Sequence, residues 1–452
     1  MLLTINQFYF WRNHNALFKN KAYLMLGAIL VVSTILRLYQ LGEESLWGDE
    51  LASLRDVKKI GEGQFFVTRI LYFLLLNVWM YFGESEFWLR LPSVAFGVLS
   101  VFLLYRLGSK LFDPTIGLIA ALFLTLSPIA IFHSQEVRMY MLSVFIGLAG
   151  TLALVDYLLN RKRKFIIFWM ILRVLAILTT PINILLLMPD LIILGWDGFG
   201  KVKLKQRPKQ TVAVGISGVL IGSIFFFSFY PAIAPLLDFA ERKQMANMEL
   251  TLMSFIGGIT RLSVWPLEAP VPSLSWFYEH LFNLYAIGLI ALIITAFVAN
   301  YSLIHKRWII LWGLLTLIVL YFSCKFIAPM LWGVPRYSLF LAPYLFILFA
   351  LGLVQIWQWK KQVASVLISI YFFTIVGSIW YYYNTDTNED WRSAFQVVNT
   401  YEKPNDALAL FPPYSQLASD YYYQGNSPIY LIEDIDSYPD ESDLNALVNQ
   451  LN

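Results

Sequence analysis

Long apolar runs recur along this chain, and clusters of lysine and arginine fall in every second gap between them. A helix needs roughly 20 apolar residues to cross the hydrocarbon layer of a bilayer, and about 11 segments come near that criterion. They are Tyr23–Leu38, Trp88–Leu107, Ile116–Phe132, Met139–Leu159, Phe165–Leu178, Ile182–Trp196, Val212–Tyr230, Trp276–Ala299, Trp308–Cys324, Tyr337–Ile356 and Val363–Tyr381. The composition agrees: 58% of the 452 residues are hydrophobic and only 14% are charged. A soluble fold has no place for that much apolar surface, whereas a bilayer does. The spacing therefore predicts an all-α polytopic membrane protein.

The basic clusters set an orientation. They are Arg106 and Lys110; Arg161–Lys164; Lys201, Lys203, Lys205, Arg207 and Lys209; His305, Lys306 and Arg307; and Lys360 and Lys361. All five lie on one side if residues 1–22 are cytoplasmic, as the excess of Lys and Arg in cytoplasmic loops requires. The first apolar run follows Arg12, Lys19 and Lys21 but lacks a small-residue cleavage site, so it reads as an uncleaved span. The membrane domain then extends over residues 23–381. Its first external segment is 40–87, in which Phe65–Phe82 reads as a helix lying at the interface, since a further span there would reverse every later loop. A second external segment covers 231–275. From residue 382 the chain turns polar, and 382–452 reads as a small extracytoplasmic α/β tail. Asp390 opens an amphipathic helix, Ala407–Phe411 and Pro428–Ile432 are strands, and Ser415–Tyr423 is helical.

Several function classes are excluded. The net charge is only +3, which does not suit a nucleic-acid binder. A single cysteine, Cys324, rules out an intramolecular disulfide or a Cys-rich metal site. The four histidines, His14, His133, His280 and His305, have no zinc-ligand spacing. There is no phosphate-binding glycine loop and no nucleophile elbow.

The chemistry-bearing residues gather at the external ends of the spans, where charge is costly and tends to be functional. Asp49 and Glu50 follow the first span closely and can serve as general base for a hydroxyl acceptor. In His133-Ser-Gln-Glu-Val-Arg-Met-Tyr140, Glu136 and Tyr140 are spaced to share a helical face, with Arg138 pointing elsewhere. Arg138, and Arg336 with Tyr337 behind Pro335, are suited to grip a phosphate at headgroup level. The plain alternatives are a solvated acidic loop and interfacial anchors. Arg69, Arg90, Arg242, Lys243 and Arg261 are further external cations that the sequence does not rank. Arg173 lies within a span and needs an internal partner that the sequence does not name.

Together these segments resemble the GT-C glycosyltransferases of the protein O-mannosyltransferase and aminoarabinose (lipid A) transferase type, in their broad bacterial branch. The resemblance rests on Ser45-Leu-Trp-Gly-Asp-Glu-Leu-Ala-Ser53, Gly83-Glu-Ser-Glu-Phe-Trp-Leu-Arg-Leu-Pro-Ser93, Tyr105-Arg-Leu-Gly-Ser-Lys-Leu-Phe112, Leu126-Ser-Pro128, the 133–140 string and Pro335-Arg-Tyr337. Asp390-Trp-Arg392 and Pro412-Pro-Tyr414 are similar to the start of the family's external domain. The likeness is nearly continuous over the first 160 residues and patchy afterwards.

It implies an inverting transfer from a polyprenyl-phosphate sugar donor to a lipid, glycan or protein acceptor, on the external face of a bacterial plasma membrane. It points to Asp49 as catalytic carboxylate, with Glu50 supporting it. It also implies substrate contacts from Glu136, Arg138, Tyr140, Arg336 and Tyr337. No nucleotide pocket is needed for a donor that already carries a phosphate leaving group, and the resemblance names no certain cofactor while leaving a divalent cation open. Two departures stand out: Val67-Thr68-Arg69 replaces the family's His-Pro-Pro, and no histidine stands near Thr179-Thr180. A multi-span transporter or a non-catalytic membrane scaffold are the rival readings; transport would call for ionisable groups near the midplane.

Overall fold

The computed structural model describes residues 16–63, 69–201, 252–264, 275–300, 335–386 and 388–432. In chain order the helices are α1 (Ala16–Leu38), α2 (Gly48–Gly61), α3 (Ile70–Met80), α4 (Glu86–Leu111), α5 (Pro114–Leu126), α6 (Pro128–Phe132), α7 (Tyr140–Asn160), α8 (Arg163–Thr179), α9 (Leu187–Lys201), α10 (Leu252–Arg261), α11 (Ser275–Asn300), α12 (Ala342–Trp359), α13 (Lys361–Asn384), α14 (Trp391–Tyr401) and α15 (Gln416–Tyr422). Short 3₁₀ turns, Pro181–Leu186 and Pro335–Leu341, lead into α9 and α12. Nine of the expected spans fall on described residues and all are helical; Val212–Tyr230, Trp308–Cys324 and most of 231–275 lie outside them.

Among the described residues, six helices are long and apolar enough to cross a membrane: Asn20–Leu38, Glu86–Leu111, Tyr140–Asn160, His280–Val298, Pro335–Trp359 and Lys361–Asn384. The protein is an integral membrane protein. The described part of the expected interfacial segment is α3, whose 11 residues rise only about 16 Å, well short of a bilayer.

Local chemistry explains where these helices begin. Asp113 caps α5, its carboxylate accepting from Thr115 N (2.7 Å) and Ile116 N (3.1 Å), with Pro114 at the first position. Ser85 caps α4 and Asp390 caps α14 in the same way. The expected continuous span Ile116–Phe132 is instead two helices, because Pro128 has no N–H and breaks the ladder after Leu126.

The Leu124 carbonyl, deprived of its partner at Pro128, accepts from Arg37 Nη2 at 3.1 Å. Arg37, fully buried on α1, also donates to Thr125 O, Ser33 O, Ser33 Oγ and Ser134 Oγ. Two of these five acceptors, Leu124 O and Thr125 O, lie at the negative end of α5, which favours a cation there.

α4, α5, α7 and α12 form the centre, with Phe123 of α5 stacked near Phe346 and edge-on to Phe349 and Tyr371. Helices in lipid approach most closely over small residues, and here Gly108 meets Gly117 and Gly352 meets the Leu292 backbone. A Cβ on Gly352 would lie 2.1 Å from Leu292 O. Gly352→Ala is expected to destabilise the α11–α12 crossing by about 1–3 kcal/mol, read as a lower unfolding midpoint in detergent. An unchanged midpoint would contradict this packing.

The mid-span Arg173 has a partner that sequence reading missed. Asp190 on α9 accepts from Arg173 Nε and from Trp169 Nε1, both at 2.6 Å. The other guanidinium nitrogens reach Gly147 O (2.9 Å) and Thr151 Oγ1 (2.8 Å). The pair is buried and ties α7, α8 and α9 together.

In the tail, α14 and α15 pack beside two short parallel strands, β1 (Leu408–Leu410) and β2 (Ile429–Leu431).

Candidate functional site

The site is built around one end of α2. Gly48 opens this helix after Trp47, so Asp49 sits in its first turn. An anion is favoured there by the helix dipole. Glu50 turns into the protein. It is fully buried and takes a bidentate grip from Arg90 of α4, with Nε to Oε1 at 3.0 Å and Nη2 to Oε2 at 2.8 Å. It also accepts from Val137 N at 2.8 Å and, more weakly, from Trp47 N at 3.3 Å. One acid therefore joins three stretches of chain: the start of α2, the N-terminal part of α4 and the loop before α7.

The remaining Arg90 hydrogens go to Leu41 O (3.0 Å), Glu44 O (2.9 Å) and Ser45 O (3.1 Å).

Asp49 has different partners. Its Oδ2 lies 3.1 Å from Arg336 Nη1 and 3.6 Å from Arg138 Nη2. Arg138 Nη1 also donates to the Asp49 carbonyl (2.8 Å) and to Ser53 Oγ (3.1 Å). Asp49 keeps 32% of its side-chain surface exposed and Arg336 27%, while Arg138 keeps 5%. Arg336 lies over the rings of Trp47 and Tyr337, and Arg138 over that of Tyr140, at 5.5–5.8 Å.

A third guanidinium, Arg69, stands at the head of α3 with a left-handed φ of 65°. Burial first, and then the charge of Arg138, push its pKa below the usual arginine value, with Tyr140, Tyr337 and then Asp49 opposing.

The loop from His133 to Met139 is irregular, which corrects the expected helical face: α7 begins only at Tyr140, and Glu136 lies before it. Arg138 does not point away but turns toward Asp49. The loop is held by Ser93, whose hydroxyl donates to Glu136 O (2.6 Å), and by Gln135, which donates to Arg37 O and Tyr39 O. Gly97 leaves room for it, since a Cβ there would lie 2.4 Å from Ser134 Oγ. Glu136 Oε2 is 2.7 Å from His133 Nδ1, both side chains being buried.

Several buried polar atoms on these segments make no hydrogen bond among the described residues: Trp47 Nε1, His133 Nε2, Glu136 Oε1, Arg138 Nε and Arg336 Nε. Buried polar atoms are normally satisfied, so such a group is a mark of a ligand-binding place.

Asp49, Arg138 and Arg336 are thus brought together, with Tyr140 and Tyr337 flanking them; Glu50 and Glu136 are paired elsewhere. Sequence reading did not single out Arg69, His133 or Arg90 for these contacts, although Arg90 and His133 both lie inside the motif strings. Two guanidiniums at one part-exposed carboxylate, with Arg69 near Arg138, suit an anion better than a cation. Among the described residues no group of three His, Cys, Asp or Glu is placed to hold a metal ion.

Residues 69–225 match the family described as dolichyl-phosphate-mannose-protein mannosyltransferase. Among solved structures, ArnT from Cupriavidus metallidurans bound to undecaprenyl phosphate is similar at a TM-score of 0.55 and 13% identity, covering 96% of this chain and 88% of that one. The archaeal oligosaccharyltransferase AglB from Archaeoglobus fulgidus, in complex with an inhibitory peptide and a dolichol-phosphate, is similar at a TM-score of 0.51 and 14% identity, covering 94% of this chain and 62% of that one.

The chain has the GT-C fold. The resemblance read from the motifs is borne out by these findings. No curated protein matches the sequence. In this GT-C protein the family match begins at Arg69 and takes in Arg90 and the whole 133–140 loop, but not Asp49 or Arg336.

Proposed function

We propose that this GT-C protein is an inverting glycosyltransferase that moves a sugar from a polyprenyl-phosphate donor to an acceptor hydroxyl on the external side of the membrane. The observation that carries the reading is the convergence of Arg138 and Arg336 on a single part-exposed carboxylate, Asp49. The ArnT structure of the same fold holds undecaprenyl phosphate, which supports a lipid-linked donor here. The alternation of basic loops supports a cytoplasmic N-terminus and an external site.

The chemistry follows from charge. As the acceptor oxygen bonds to the anomeric carbon, the bond from that carbon to the phosphate oxygen breaks, and the configuration inverts. The phosphate leaves as a lipid monoester carrying one more negative charge. Guanidiniums placed in advance stabilise that charge without reorganising. The acceptor proton passes to Asp49, the one acid of the cluster with exposed surface.

Glu50, lacking exposed surface, contributes by fixing the helix that carries Asp49. Glu136, Tyr140 and Tyr337 line the substrate side. The acceptor class is a lipid, glycan or protein hydroxyl, and the donor lipid lies between helices. A transporter would be expected to use the buried Arg173–Asp190 pair, but that guanidinium is closed by Asp190, Gly147 and Thr151.

The test is donor consumption by the purified protein in lipid, offered a set of polyprenyl-phosphate sugars, alongside binding of undecaprenyl phosphate. Arg336→Gln removes one charge-assisted contact, about 1.5–3 kcal/mol, so lipid-phosphate affinity is expected to fall by about 10–150-fold. Unaltered affinity in Arg336→Gln, or no consumption of any donor by the wild type, would overturn the reading.

A further inference from the structure

The polar tail does not stand apart from the site. It touches the seven-residue segment, Leu41 to Trp47, that leads directly into Asp49. This segment has no regular structure apart from turns, so its backbone groups need partners from elsewhere.

From the membrane domain, Arg90 takes the carbonyls of Leu41, Glu44 and Ser45. From the tail, Arg392 of α14 takes the carbonyls of Gly42 (3.0 Å), Glu43 (3.0 Å) and Glu44 (3.3 Å). Five consecutive carbonyl oxygens therefore end on two guanidiniums, one on each side.

Arg392 is itself aimed by Glu86, whose carboxylate accepts from Nε at 3.0 Å and pairs with Nη2. Glu86 and Arg90 are one turn apart on α4, so the same helix directs both arginines. Three further tail groups close the clamp: Tyr422 OH accepts from Leu46 N (2.7 Å) and donates to Glu86 (2.5 Å), Trp391 N donates to Ser45 Oγ (3.2 Å), and Ser45 Oγ donates to Glu389 O (2.5 Å).

We propose that Arg392 is a positioning residue: through the carbonyls of Gly42, Glu43 and Glu44 it holds the segment that sets the place of Asp49, and the tail is a working part of the site. The inference rests on Asp49 being the base. Arg392 is 39% exposed on its side chain, so its removal opens its partners to water rather than burying them unpaired. The fold survives and the geometry suffers. The guanidiniums that face the donor phosphate come from other elements and stay in place. The expected signature is therefore a loss in kcat with donor binding retained.

The experiment uses the full chain in lipid. For Arg392→Ala, kcat is expected to fall by about 10–100-fold, the order of loss that a misplacement of about 1 Å brings. Affinity for undecaprenyl phosphate stays within about 2-fold, since no phosphate contact is removed. Amide exchange at residues 42–47 becomes at least about 10-fold faster as the segment opens locally. Arg392→Lys keeps the pair with Glu86 but lacks the fork of donors, so its kcat is expected to lie between the two.

The proposal is overturned by a kcat loss matched by a loss of lipid-phosphate affinity, or by full activity in Arg392→Ala. If the wild type consumes no donor at all, the functional reading fails separately. Exchange at 42–47 then decides the clamp alone, and unchanged exchange overturns it.

Discussion

Asp49→Asn is expected to lower kcat by about 10²–10⁴-fold, the contribution of a well-placed general base. Asparagine keeps the size of the side chain and can still face Arg336 and Arg138, so the arginine cluster should hold its shape. It cannot take the acceptor's proton. Donor binding should move the other way: removing the carboxylate takes away a negative charge beside the phosphate and leaves Arg138 and Arg336 without their acidic partner. The combination of lost turnover with equal or tighter binding of undecaprenyl phosphate distinguishes a base from a binding residue. Donor-consumption kinetics together with equilibrium lipid binding give both numbers. Turnover equal to wild type would remove Asp49 from the mechanism.

Arg90→Met is expected to be the most destabilising single change in the site, at about 3–5 kcal/mol. It leaves Glu50 fully buried with an uncompensated charge and strips donors from Leu41 O, Glu44 O and Ser45 O. The double variant Arg90→Met with Glu50→Leu removes both charges, and a large part of the lost stability should return, because replacing a buried ion pair by apolar groups is often nearly neutral. Activity should not return with it, since neither apolar side chain can hold the carbonyls before Asp49 or the amide of Val137. Unfolding midpoints and turnover measured on the same three proteins test this. A double variant as unstable as Arg90→Met would mean that the carbonyl contacts, not the ion pair, carry the energy.

The membrane class of the protein is legible from the one-dimensional pattern alone. Crossing a bilayer demands a length of apolar chain that a reader can count, and caps such as Asp113-Pro114 and Ser85 are local enough to announce helix starts. The motif strings also led to side chains that the structure brings together, because Asp49, Arg138 and Arg336 carry charge at span ends, where charge is expensive.

What the sequence could not decide is which group each charge would meet. Asp49 and Glu50 are neighbours in the chain and look equivalent, yet one is part-exposed between Arg138 and Arg336 while the other is locked to Arg90, 40 positions away. The loop 133–139 has helical spacing, but tertiary bonds from Ser93, Arg37 and Glu50 hold it irregular and turn Arg138 inward. The partner of Arg173 and the reach of Arg392 into Gly42–Glu44 are likewise contacts between distant stretches. Apolar length and capping act over a few residues and are written in order along the chain. Pairing of buried charge depends on which helices pack side by side, and that is decided only when the chain has folded.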